Sequence, residues 1–182
     1  MLRLVNIFDT DIGKAKIKKL YRYSFPLGER VPFCLLKAKA RKRLADFYIL
    51  CDDDLFAGML YQVYDRDIVY LFYIAIEPSL RGRGYGSGLL QLAKAKNAGR
   101  RMILSIEALE KDSGNYEERV KRKRFYLKNE FQENHLITRE GNVTYEMLCY
   151  GGNVSYEEYG KLIQGFLGTF LYRKFYRKIK GV

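Results

Sequence analysis

A strand, a glycine-rich turn and a helix follow one another without a break between Val69 and Lys96, and this succession restricts the fold more than any other stretch. The run Tyr70-Leu71-Phe72-Tyr73-Ile74-Ala75-Ile76 is nearly all apolar, the pattern of a strand covered on both faces. Pro78 ends it, because proline cannot donate to a strand ladder. Then comes Arg81-Gly82-Arg83-Gly84-Tyr85-Gly86-Ser87-Gly88, with glycine at every second position. Glycine accepts a positive φ and lets backbone approach a ligand closely. The following helix leaves its first N–H groups without intrahelical acceptors, so its start suits an anion. With two arginines beside those amides, the segment reads as a cradle for a pyrophosphate.

Two common phosphate motifs do not fit. A dinucleotide fingerprint needs a third glycine where the frame from Gly82 has Ser87 and the frame from Gly84 has Leu89. A Walker A loop would end in Gly-Lys-Ser/Thr, which does not occur here.

At 182 residues the chain is expected to form one domain over residues 1–182. With 48% hydrophobic and 30% charged residues, the composition is that of a folded, soluble protein. No run approaches the roughly 18–20 apolar residues of a membrane span. The first residues lack the apolar core of a signal peptide, so the cytoplasm is the expected location. Cys34, Cys51 and Cys149 form no C-x-x-C pair, which argues against disulfide scaffolding and against a metal site. The net charge of +12 favours anionic partners: nucleic acid, anionic lipid or a phosphorylated cofactor.

The remaining elements follow from periodicity. Leu2 to Phe8 reads as a strand, and Thr10 or Asp9 as the cap of a helix over Asp11 to Ser24. A second helix starts near Pro32, with Phe33, Leu36, Ala40 and Leu44 on one face and a basic run, Lys37 to Arg43, on the rest. Phe47 to Cys51 and Leu55 to Tyr64 are strands joined at Asp52-Asp53-Asp54, a hairpin turn without the ligand spacing of a calcium loop. Gly58 marks a bulge or a close backbone approach. After the central strand, a helix from Gly86 to about Asn97 leads to a parallel strand, Met102 to Leu109. Glu107 in that strand lies either at an exposed end or in a polar cavity. Tyr116 to Asn129 is helical. Phe131 to Arg139 and Val143 to Tyr150 form a hairpin around Glu140-Gly141-Asn142. His135, the single histidine, reads as a surface or structural residue. Ser155 caps a last helix whose stripe Leu162, Ile163, Phe166, Leu167, Phe170 and Leu171 packs on the sheet or in a homodimer. Its basic end, Arg173 to Lys180, is also compatible with an anionic membrane surface. The sum is an α/β fold with a mixed, mostly antiparallel sheet of six to seven strands, flanked by helices, and a C-terminal helical extension over 155–182.

Arg81-Gly82-Arg83-Gly84-Tyr85-Gly86 resembles the Q/R-x-x-G-x-G/A cofactor motif of the GNAT N-acetyltransferase superfamily at every fixed position. A second segment, Phe125-Tyr126-Leu127-Lys128-Asn129-Glu130-Phe131, is similar to the family's F/L-Y-x-K-x-G-F, with Glu130 where glycine is usual. The asparagine that many members carry seven residues before the tyrosine is Arg119 here. The resemblance covers roughly Leu55 to Tyr150 and implies an acetyl-CoA-dependent N-acetyltransferase acting on a primary amine by direct attack. It implies that the amides from Arg81 through Gly82, Arg83, Gly84, Tyr85 and Gly86 to Ser87 hold the diphosphate of coenzyme A. It implies that the backbone of Ile74, Ala75 and Ile76 takes the pantetheine arm, and that Tyr126 protonates the leaving thiolate. Tyr21 to Phe33 would then line the acceptor site. Histone-acetylating members place a glutamate base where this chain has Tyr70, so Glu107 is the substitute candidate. Two other readings are open: a basic nucleic-acid-binding module, and an acyl-CoA sensor that binds without turnover.

Overall fold

A computed structural model describes residues 1–140 and 143–168 of the chain. Its elements are β1 (Leu2–Asn6), α1 (Lys14–Ser24), α2 (Phe33–Arg41), β2 (Ala45–Asp52), β3 (Leu55–Asp65), β4 (Ile68–Ile76), α3 (Tyr85–Lys96), β5 (Arg101–Glu107), α4 (Tyr116–Lys128), β6 (Gln132–Glu140), β7 (Val143–Tyr150) and α5 (Tyr156–Leu167). The seven strands form one sheet in the order β1-β2-β3-β4-β5-β7-β6. β4 and β5 run parallel, as a helical crossover requires. The pairs β1–β2, β2–β3, β5–β7 and β6–β7 are antiparallel. This is the mostly antiparallel sheet with flanking helices that the sequence implies.

The chain divides into two compact units, Met1–Val63 with Leu71–Ala98, and Tyr64–Tyr70 with the chain from Gly99 on. In the first, an aromatic column fixes α1 and α2. The Tyr21 ring lies 5.7 Å from Phe33 and 5.1 Å from Tyr73, Phe33 lies 5.6 Å from Phe47, and Phe47 lies 5.1 Å from Tyr61. Their hydroxyls find backbone partners, as buried tyrosines must. Tyr61 donates to Leu36 O (3.2 Å), Tyr21 to Val31 O (2.8 Å) and Tyr73 to Glu29 O (2.6 Å). Tyr73 also accepts from the Val31 N–H (3.1 Å), so two tyrosines pin the segment between the helices. Gly58 is a close approach: a Cβ there would stand 2.5 Å from the Ala75 carbonyl oxygen.

Several boundaries differ from the sequence reading. α1 is capped by left-handed Gly13 (φ 72°), not by Thr10 or Asp9; the Thr10 hydroxyl instead accepts from the Ile12 N–H (3.0 Å) in a local turn. Pro32 is the N-cap of α2 rather than its first residue. α2 stops at Arg41, so Leu44 leaves the apolar face and is exposed. β5 ends at Glu107, two residues short of the expected Leu109.

In the second unit, β6 is an edge strand with a break in register between Glu133 and Ile137. His135 is exposed there with φ 52°. Asn134 turns inward and clasps Val154, donating to its carbonyl (2.8 Å) and accepting from its N–H (2.7 Å). Ser155 does cap α5, in a reciprocal capping box with Glu158. Leu162, Ile163 and Phe166 are buried, and Gly168 (φ 82°) ends the helix. The turn at Gly141-Asn142, together with Phe170, Leu171 and the basic residues from Arg173 to Lys180, lies outside the described residues.

Arg101 ties the start of β5 to two carboxylates, Asp67 Oδ2 (2.7 Å) and Glu158 Oε1 (2.7 Å). The guanidinium, with the Ser155 N–H, holds the Glu158 carboxyl down to about 2, from an ordinary value of 4.5. A lowered carboxyl stabilises the folded state above the unfolded value, and that contribution disappears as pH falls through the folded one. Arg101→Met is therefore expected to destabilise the protein at pH 7, with the difference from wild type shrinking between pH 4.5 and 2 in urea melts. A gap independent of pH would show that the ion pair contributes nothing.

Candidate active site

The stretch expected to hold a diphosphate lies at the entrance to α3. β4 ends at Ile76, a short 3-10 turn at Pro78–Leu80 follows, and Arg81 through Gly84 lead into the helix. Gly82 (φ 75°) and Gly84 (φ 86°) both take the left-handed conformation that side-chain-bearing residues avoid. Gly84 is the N-cap and supplies no side-chain acceptor. The first helical bond runs from Gly88 N–H to Gly84 O (3.0 Å), so the amides of Tyr85, Gly86 and Ser87 have no acceptor within the helix. A Cβ on Gly82 or Gly84 would meet nothing within 4 Å, so both glycines border open space.

Charges frame these amides. Arg83 is exposed and, with Gly84, Tyr85, Leu2 and Asp52, lines a shallow cleft of about 440 Å³. Arg81 donates through Nε to Ile76 O (3.3 Å), and its guanidinium stands 5.9 Å from the centre of the Tyr23 ring. The Tyr85 hydroxyl donates to Asp52 Oδ2 (2.9 Å), which holds the Asp52 carboxyl below its usual range. Asp52 was legible only as a turn residue; its partner is 33 positions away, so no local pattern could have nominated it. Ile74 and Ile76 are half-buried and Ala75 is buried. All three lie beyond the stretch of β4, Ile68 to Tyr70, that is registered with β5.

The catalytic candidates stand in the second unit. Glu107 is the last residue of β5, half-buried, and meets two guanidinium groups. Its Oε2 is 2.8 Å from Arg122 Nη1 and its Oε1 is 3.3 Å from Arg119 Nη2. Arg119, where the family often has asparagine, is only 8% exposed. It also donates to Asn115 Oδ1 (2.8 Å) and Ala108 O (2.7 Å). A buried guanidinium needs such partners, because an unpaired buried charge is strongly unfavourable. Tyr70 is buried and donates to Ser105 Oγ (3.1 Å).

Tyr126 is half-buried in the last turn of α4, its ring 6.0 Å from Phe131 and 5.1 Å from Phe125. Burial pushes its hydroxyl up to about 12, against a small opposing effect of Arg122. Its proton therefore stays in place at neutral pH. Among the described residues nothing accepts from that hydroxyl. The backbone at Tyr126 is fixed by a Schellman ending: Phe131 N–H bonds to Tyr126 O (3.1 Å) and Glu130 N–H to Leu127 O (3.0 Å). That geometry needs a left-handed residue, and Glu130 supplies it at φ 66°. Among the described residues no group of histidine, cysteine and carboxylate side chains is arranged to hold a metal ion, and no helix is long and apolar enough to cross a membrane.

Residues 43–133 match the family model described as an acetyltransferase (GNAT) domain. Among solved structures, a protein from Bacteroides thetaiotaomicron described as a GNAT-family acetyltransferase aligns with TM-score 0.67 at 22% identity, over 94% of this chain and 98% of that one. The ribosomal-protein-S18-alanine N-acetyltransferase of Escherichia coli aligns with TM-score 0.59 at 19% identity, over 86% and 97%. An acetyltransferase of Bacillus subtilis in complex with CoA aligns with TM-score 0.59 at 17% identity, over 82% and 97%. No curated protein sequence matches the chain.

An L-residue at a left-handed position costs roughly 1 kcal/mol relative to glycine. Glu130→Gly is expected to raise stability by about that amount in chemical denaturation. A loss of stability would mean that the Glu130 side chain matters more than its backbone.

Proposed function

The chain belongs to the GNAT acetyltransferase family, and we propose that it moves an acetyl group from acetyl-CoA to a primary amine by direct attack in a ternary complex. The observation that carries this reading is the start of α3, where three amides without acceptors in the helix follow a turn of two left-handed glycines and two arginines. Such amides, at the positive end of a helix, suit a diphosphate. The open space at Gly82 and Gly84 leaves room for one.

Acetyl-CoA supplies an acyl group already activated as a thioester. In the proposed roles, the amides from Arg81 to Ser87 bind the diphosphate, with Arg83 adding charge from the cleft edge. The backbone of Ile74, Ala75 and Ile76 takes the pantetheine arm as an added strand would be taken. An N–H there polarises the acyl carbonyl and steadies its oxyanion. Tyr126, protonated at neutral pH, donates to the leaving sulfur. Glu107 is the proposed acceptor of the amine proton; both of its oxygens are engaged by arginines, so it would work through an intervening water. A base becomes dispensable where the free amine is already abundant.

Gly86 lies inside α3 without a positive φ, so valine there adds bulk without left-handed strain. Gly86→Val is expected to abolish coenzyme A binding in calorimetry while leaving the circular dichroism spectrum intact. Affinity within twofold of wild type would remove the cradle and the transferase reading with it.

Tyr126→Phe is expected to lower kcat by about 10²-fold, the usual scale for a positioned acid, with little change in the KM for acetyl-CoA. The assay is acetyl-CoA consumption with an amine found by screening small amines, amino acids, polyamines and protein N-termini. Unchanged turnover would end the acid role. In the same assay Glu107→Gln is expected to slow the reaction most at low pH, and an unaltered pH profile would dismiss it as the base. Thermal melts accompany this variant because Arg119 loses a partner.

A further inference from the structure

The excess charge of this chain is not spread over it. Between Ile12 and Ala45 stand eleven lysines and arginines and a single carboxylate, Glu29. The other 148 residues carry twenty-two cations against twenty carboxylates. Nearly all of the +12 thus belongs to α1, α2 and the segments around them. Phosphate binding at Arg81–Ser87 does not account for it, since that site has its own arginines.

The fold gathers these cations onto one surface of the first unit. The Arg41 guanidinium, at the end of α2, lies 5.2 Å from the Phe8 ring just ahead of α1. Phe33, at the start of α2, packs 5.7 Å from Tyr21 near the end of α1. The two helices therefore run side by side in opposite directions. α1 buries Ile17, Leu20 and Tyr21, which leaves its other faces to Lys14, Lys16, Lys18, Lys19 and Arg22, all exposed. Lys14, Lys18 and Arg22 form a row at four-residue spacing, a rise of about 6 Å per step, close to the separation of successive phosphates on one strand. Along the outer face of α2, Lys37, Arg41 and Lys42 border a trough of about 360 Å³ floored by the small side chains of Cys34 and Ala38. Among the described residues Lys16, Lys18, Lys19, Arg22, Lys37 and Lys42 make no ion pair. At the end of α1 the Tyr23 ring is 69% exposed, with Arg81 beside it.

We propose that the α1–α2 surface docks a single strand of nucleic acid, with the lysine rows along its phosphates and Tyr23 as a stacking platform for a base. A lysine-rich surface with an exposed aromatic, where Asp11 on Lys14 is the carboxylate paired with the row, is the footprint of a polyanion whose charges repeat. An acidic protein partner would meet an apolar interface centre, and here the exposed face of α1 ahead of Tyr23 carries five cations and, as its one apolar residue, the small Ala15. A bilayer would need the apolar stripe of an amphipathic helix, and that of α1 is already buried.

The test is fluorescence anisotropy of a labelled 20-nucleotide oligouridylate with the full chain, between 50 and 200 mM salt, without coenzyme. Wild type is expected to bind with log K falling linearly in log salt, by about 0.7 for each phosphate engaged. The combined variant Lys18→Gln, Lys37→Gln, Lys42→Gln is expected to bind at least tenfold more weakly at 100 mM salt, with a slope shallower by about 2. A control, Lys121→Gln, Arg124→Gln, Lys128→Gln on exposed positions of α4, is expected to bind as wild type does. Absence of binding at 50 mM salt would overturn the proposal, as would equal loss in the control. Displacement of the oligonucleotide by polyglutamate or phosphatidylserine vesicles at matched charge would also overturn it, in favour of an acidic protein or a membrane. The assay reads no coenzyme binding or turnover, so its failure leaves the transferase reading untouched.

Discussion

The start of α3 dispenses with the side-chain cap that most helices use. Gly84 has no side chain to offer the amides of Tyr85, Gly86 and Ser87, which, like the first N–H groups of any helix, have no acceptor within it. Unpaired donors at a helix end are stable only when water or a ligand answers them. The surroundings hold that end in place by other means. Pro78 stops β4 before the turn, the Arg81 side chain folds back onto the Ile76 carbonyl, and Asp52 grips the Tyr85 hydroxyl from the end of β2. Gly58 lets β3 approach the Ala75 carbonyl, so the strand that feeds the turn lies close against its neighbour.

In the second unit, charge pairing and backbone geometry place the candidate catalytic side chains. Arg119 and Arg122 reach Glu107 from α4, so a carboxylate on β5 and a tyrosine on α4 are joined through one helix. The Schellman ending fixes the last turn of that helix, and with it Tyr126. Glu130 accepts an unfavourable conformation to complete it, which shows that the turn is imposed by the two flanking bonds rather than by the residue that occupies it.

The strands themselves, the parallel crossover and the glycine turn before α3 could be read from the chain because each has a local cause: apolar runs, a proline stop, alternating glycines. Helix starts were less legible. Thr10 and Asp9 have the chemistry of a cap, yet Gly13 takes the position, because the hydroxyl of Thr10 is used in its own turn. The setting of Glu107 was out of reach for a different reason. A single carboxylate in an apolar strand reads as an exposed end or a polar cavity, and its partner Arg119, twelve residues on, is met only in the fold. Asp52 and Tyr85, and the two tyrosines that pin Val31, are likewise pairings across distant segments. The clustering of charge between Ile12 and Ala45 was countable from the outset, but its meaning required two helices laid side by side.

The bulge in β6 has a bearing on how copies of this protein coexist in solution. An outermost strand with a regular comb of free amides and carbonyls is a template on which another chain can grow the sheet. Here the comb is broken midway: the ladder slips at Glu133–Ile137, a left-handed His135 turns the backbone, and Asn134 anchors the distortion to Val154. The margin opposite is formed by the five residues of β1. If the α1–α2 surface docks long anions as proposed, copies would gather on them at high local density, and this interrupted border gives such copies no continuous ladder to extend.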